Sequence, residues 1–317
     1  MGGETTGQLS RRAVLGGGMV LGAAGIIRSQ ARAAAQTVPP ASFPAARVGA
    51  TFDLFPFPPG TTYPQAVDIW NRTTGTKMRC WKVYYQLGEF PASIDARIQT
   101  MINRGIQALI SFKPAIKHSS AERDKLAKAV RMFHRAGLTA EVCLWQEVGP
   151  KDMTAAQYHS YVQYYGPAIR AYYPLVFDAP GYQGPKEWAS YDPGHALVDG
   201  YAVDFYCGDY VNKKYTLEPL AALAGRLPVG IWEIGNTASS KFMPTAAEIT
   251  AYLGYITSFL SHRAASGLPV GSVAWYNGPA GPKQNGQNEI AGTHPNTEAP
   301  TDIAGYRKLY KAVNKVP

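Results

Sequence analysis

Short apolar runs alternate along the chain with longer amphipathic stretches. The apolar runs are Arg47–Asp53, Met78–Tyr85, Gln107–Phe112, Leu138–Glu147, Pro174–Asp178, Val198–Tyr206, Leu227–Glu233 and Val270–Tyr276. Each is short, rich in β-branched or aromatic residues and bounded by polar or breaker residues, which predicts a buried strand. The intervening stretches carry apolar residues at helical spacing. Ile94, Ile98 and Ile102 predict a helix over 93–103; Leu126, Val130 and Phe133 predict one over 121–136, stopped at Gly137. Thr154-x-x-Gln157 and Thr245-x-x-Glu248 are capping-box signatures, opening helices that run to about Tyr173 and to Ala265. Further helices are expected near 63–72, 217–227 and 301–313. The segment 182–198 reads as irregular, with Trp188 and a short helix.

Eight strand–helix units with no run of consecutive strands predict an α/β chain, a parallel sheet closed as a (β/α)8 TIM barrel. An open doubly wound sheet is the runner-up. It calls for a glycine-rich phosphate turn after strand one, where this chain has Leu54-Phe-Pro-Phe-Pro-Pro.

The N-terminus changes the picture of where this barrel works. Ser10-Arg-Arg precedes an apolar, glycine-rich run from Ala13 to Ile27, and Ala-x-Ala sites follow at Ala31–Ala33 and Ala33–Ala35. This resembles a Tat export signal, against the competing reading of a membrane anchor. The expected organisation is a Tat-type signal peptide over 1–35, a Pro/Ala linker over 36–46 and one catalytic barrel over 47–317, secreted and monomeric. No later stretch is long and apolar enough to span a bilayer. The 317-residue chain has a formal net charge of +9. Removing residues 1–33 takes away four arginines and one glutamate and leaves about +6, spread without a basic block, so a nucleic-acid partner is not expected. Cys80, Cys143 and Cys207 cannot all pair. A protein that folds before Tat export does so among reducing thiols, so three buried free cysteines are expected, with one disulfide as the alternative.

Candidate chemistry lies at two strand ends. Leu138–Gly149 and Leu227–Gly235 each contain tryptophan and end on a glutamate, Glu147 and Glu233. A carboxylate at the end of a buried strand is costly unless paired, exposed at a rim or functional. In a barrel the carboxyl ends of all strands meet at one face, where active sites sit. Glu147 and Glu233 would then face each other across the mouth. Two carboxylates about 5–5.5 Å apart are what a retaining glycosidase needs. Alternation puts Trp145 on the same face as Glu147 and sends Trp232 to the face opposite Glu233, against a helix. Asp53, Asp178, Asp204 and Asp209 also lie at or near strand ends, as sugar ligands, rim salt bridges or an alternative partner for Glu147. Trp81, Tyr84, Tyr85 and Trp188 are candidate sugar platforms, with packing as the competing role. No metal-binding His-Glu-x-x-His and no close pair of histidines occurs, so no metal or cofactor is expected, and no Gly-x-Ser-x-Gly elbow occurs, which argues against an α/β-hydrolase esterase.

Trp145-Gln-Glu147, Ile231-Trp-Glu-Ile-Gly235 and Val273-Ala-Trp-Tyr276 resemble the clan of retaining (β/α)8 glycoside hydrolases with the acid/base on strand four and the nucleophile on strand seven. The likeness extends to family 26. It implies Glu147 as acid/base, Glu233 as nucleophile, Trp275 as the floor under the sugar at the cleavage point, with packing in the barrel core as its competing role, and Tyr206 as the hydrogen-bond partner of the nucleophile. Gln146 stands where the clan more often has asparagine, and family 26 mannanases have histidine. Arg79 and Lys82 are the candidates for the clan's strand-two arginine. The implied activity is endo-acting hydrolysis of a polysaccharide or oligosaccharide. A non-catalytic carbohydrate-binding barrel and a transglycosylase on the same glutamates are the alternatives.

Overall fold

The computed structural model describes residues 42–52, 56–181, 183–212, 216–236, 244–277, 290–291 and 299–314. The proposed export signal, most of the linker and the candidate Asp53 lie outside the described residues. Eight parallel strands close into a barrel in chain order: β1 (Val48–Thr51), β2 (Cys80–Tyr85), β3 (Gln107–Phe112), β4 (Ala140–Leu144), β5 (Leu175–Ala179), β6 (Gly200–Tyr206), β7 (Val229–Gly235) and β8 (Val270–Tyr276). The helices between them are α1 (Tyr63–Thr74), α2 (Ala96–Arg104), α3 (Ser120–Arg135), α4 (Ala155–Arg170), α5 (Pro185–Tyr191), α6 (Cys207–Val211), α7 (Glu218–Ala224) and α8 (Ala246–Ala265), and α9 (Ala299–Val313) follows β8. The eight alternating units are therefore a TIM barrel. Both capping boxes form, at Thr154/Gln157 and Thr245/Glu248. The five-residue α6 directly follows β6, at a place where the sequence pattern predicts no helix.

Period-two alternation divides each strand between two environments. Outward residues join the layer under the helices, which includes Trp70, Trp81, Trp188, Trp275 and the tyrosines of α4. Inward residues Cys80, Leu109, Cys143, Val176, Ala202, Trp232 and Ala274 form a separate cluster inside the barrel. The three cysteines are buried and free.

The inner lower floor is polar. Glu141 Oε1 accepts from Gln107 Nε2 at 2.7 Å and Ser272 Oγ at 2.6 Å, and its Oε2 accepts from Trp232 Nε1 at 3.2 Å. Burial pushes the Glu141 carboxyl up to about 7, while these donors pull against the rise. Barrel closure depends on a close approach at Gly49. A Cβ there would lie 1.7 Å from the Cys80 carbonyl oxygen, an atom of the neighbouring strand's backbone. Gly49→Ala is expected to destabilise the fold by about 3 kcal/mol or more, beyond ordinary overpacking, because backbone has to move. Chemical denaturation measures it, and a loss within about 0.5 kcal/mol would contradict the close packing of β1 on β2.

Candidate active site

β4 ends earlier than its apolar run suggests, at Leu144. Trp145 and Glu147 then adopt left-handed backbone conformations, with φ of 59° and 52°. Such non-glycine residues cost on the order of 1–3 kcal/mol each and concentrate at functional sites. Glu147 is therefore a turn residue just past β4 rather than its last strand residue. It is partly exposed. Burial pushes its carboxyl up to about 7; the charge of Asp204 adds to the rise, and Lys82 works against it.

β7 does not alternate. Tyr201 of β6 pairs with Val229 of β7, and Asp204 pairs with Glu233, so β7 uses one more residue than β6 over the same stretch. β7 also carries an extra residue against β8 between Ile231 and Ile234. This bulge turns two consecutive side chains inward. Trp232 enters the barrel interior and donates to Glu141. Glu233 also points inward, which corrects the expectation that Trp232 packs against a helix.

Glu233 is 7% exposed. Tyr206, the last residue of β6, donates its hydroxyl to Glu233 Oε2. Lys82 Nζ lies 3.4 Å from Glu233 Oε1, 2.8 Å from Asp204 Oδ1 and 3.3 Å from Asp178 Oδ2. One buried ammonium thus meets carboxylates from β5, β6 and β7. Burial alone would depress the Lys82 pKa, but Asp178, Asp204 and Glu233 outweigh it and hold the group well above the usual lysine range. Burial raises the Glu233 pKa above the ordinary carboxylate value, and Lys82 works against that rise without cancelling it. Of the two candidates for the strand-two cation, only Lys82 reaches the site; Arg79 is tied to Tyr310 through its Nε. Among the described residues no group of three or more His, Cys, Asp or Glu could hold a metal ion.

The other candidates divide cleanly. Tyr84 points inward, with the Lys82 ammonium 5.2 Å from its ring centroid and its buried hydroxyl without a partner among the described residues. Gln146 follows Trp145, and its buried Oε1 likewise has no partner among the described residues. Trp145 packs edge-to-face on Tyr161 at 6.0 Å, and Lys113 Nζ sits 5.7 Å from its ring centroid. Three tryptophans are placed elsewhere. Trp81 is fully buried among Phe52 and Tyr63 and donates to the Phe52 carbonyl. Trp188, on α5, is fully buried and donates to the Pro180 carbonyl. Neither has a face for a sugar. Trp275 is fully buried in the outer apolar layer, out of phase with Ser272 and Ala274, so it is not the expected floor. Tyr276, one residue on, takes the inward position and meets Tyr206 edge-to-face at 6.4 Å. Asp178 and Asp204 are buried partners of Lys82, not rim ligands.

No protein-family model and no curated protein sequence matches the chain. Solved structures do. A glycoside hydrolase family 30 subfamily 8 xylanase from Clostridium acetobutylicum aligns over 85% of this chain and 73% of its own, with a TM-score of 0.54 and 12% identity. The catalytic domain of a family 26 endo-β-1,4-mannanase from Bacillus sp. JAMB-750 aligns over 84% and 86%, with a TM-score of 0.53 and 12% identity. A family 26 β-mannanase from Bacteroides ovatus aligns over 85% and 89%, with a TM-score of 0.52 and 12% identity. The chain shares their fold. At this identity the likeness is one of architecture, and the site has to be argued from its own residues.

Proposed function

We propose that the protein is a retaining endo-glycoside hydrolase acting on a polysaccharide by double displacement. The observation that carries this reading is the contrast between its two glutamates. Glu147 sits where burial and Asp204 favour its protonated form up to about pH 7, as a general acid requires. Glu233 receives a phenol hydrogen bond and an ammonium, both of which favour the carboxylate a nucleophile requires. In this reading Glu147 protonates the leaving glycosidic oxygen as Glu233 attacks the anomeric carbon. Glu147 then takes a proton from water, which releases the sugar from Glu233 with net retention. Neighbours named as a xylanase and as β-mannanases support a β-linked glycan as substrate. The twin-arginine segment supports export, and the barrel is proposed to act as a monomer outside the cytoplasm.

Hydrolysis of xylan, mannan or glucan in a panel screened by reducing-end detection tests the proposal. Binding without any new reducing ends, across the pH range, would favour the non-catalytic sugar-binding barrel instead. New glycosidic products appearing only with added acceptor would favour the transglycosylase.

A further inference from the structure

The floor of the site holds more charge than two catalytic carboxyls need. We infer that Lys82 is a positioning residue that holds Glu233 as a carboxylate, sharing its single charge with Asp204 while Asp178 stays neutral. The catalytic meaning rests on the proposed role of Glu233; the electrostatics do not.

Geometry separates the three carboxyls. Asp204 presents both oxygens to Lys82 Nζ, at 2.8 and 3.1 Å. Glu233 takes the ammonium on one oxygen and the Tyr206 hydroxyl on the other. Asp178 takes only one contact, at 3.3 Å, and its Oδ1 is buried with no hydrogen-bond partner among the described residues. A buried carboxylate oxygen without a donor is the most costly of the three to leave ionised. One ammonium against three carboxylates would leave two buried negative charges uncompensated; a proton on Asp178 leaves one. Burial, the charge of Asp204 and that of Glu147 all drive Asp178 well above the ordinary carboxylate range, against the pull of Lys82.

Other groups facing this centre are few. Cys143 of β4 and Tyr84 of β2 flank Lys82. Glu147 and Tyr276 act on Tyr206, and Lys113, past β3, acts on Asp204 and Glu147. Burial keeps the Cys143 thiol and the Tyr206 phenol neutral in the range tested. Glu147 titrates in this range too, so its own signal is followed separately while changes at Lys82, Asp178 and Asp204 are read on Glu233.

The test is a carboxyl-carbon NMR titration of the full-length protein labelled in Asp and Glu, with signals assigned through Glu233→Gln and Asp178→Asn. At pH 7 the Asp178 signal is expected at the protonated position and Glu233 at the ionised one. Lys82→Met should raise the Glu233 midpoint by about 1–3 pH units. Asp204→Asn frees the ammonium and should lower it, whereas Asp178→Asn should leave it unmoved. If Lys82→Met does not fold, the two Asn variants decide the matter alone. Equal downward shifts in both would show Asp178 ionised and overturn the inference, as would an unmoved midpoint in Asp204→Asn. An inactive wild-type protein that still titrates as expected would defeat the proposed hydrolase while leaving this assignment intact.

Discussion

Replacing Glu233 by alanine is expected to remove glycan hydrolysis almost completely, by at least ~10⁴-fold in kcat, because in the proposed mechanism its carboxylate attacks the anomeric carbon. The fold should survive, since Lys82 retains Asp204 as its nearest partner. Sodium azide should then restore turnover. The small anion enters the space vacated by the carboxylate, Glu147 still protonates the leaving oxygen, and the product is a glycosyl azide with inverted configuration. Retention of wild-type rate in the alanine variant, or azide rescue with retained configuration, would remove Glu233 from the nucleophile's role. Tyr206, which donates to the same carboxylate, serves as the internal comparison: its loss should weaken rather than abolish the reaction.

Glu147→Gln gives the second large effect, expected at about 10²–10⁴-fold in kcat/KM on natural glycans. Substrates whose leaving group needs no proton should lose far less in the first step. The pH dependence carries a sign. In the proposed mechanism Glu147 acts while protonated, and its carboxyl is raised to about 7, so wild-type activity should fall as pH rises through that value. Because Asp204 contributes to the rise, Asp204→Asn should bring this alkaline limb to lower pH. In Glu147→Gln the limb should vanish, since the amide does not titrate. A pH–rate profile with an unchanged alkaline limb in the glutamine variant would assign the acid to another group.

The eight-fold alternation was readable because each strand is a short apolar run and each helix carries its own start or stop signal. The same logic placed Glu147, Glu233 and Tyr206 at one end of the barrel. It failed where local backbone geometry overrides the period. Nothing in Trp145-Gln-Glu147 announces two left-handed residues, because neither is glycine. The bulge in β7 has no compositional mark, so Trp232 and Glu233 were assigned opposite faces when they share one. Trp275 is a different case: the resemblance leaves it between sugar floor and core, and the structure puts it in the outer apolar layer. Lys82 could be named as a candidate cation, but its partners lie 96 and 122 residues away, a separation that no local pattern bridges.

The extra residue in β7 also bears on how such a site can be moved or rebuilt. Deleting one residue between Val229 and Glu233 would restore strict alternation and leave room inside for only one of the two side chains. Either the indole under the site or the carboxylate above it would be expelled into the helix layer. A designer grafting this pair onto another barrel therefore has to transplant a length of strand and its misregister. Point substitutions on a regular strand would reproduce the residues without their arrangement.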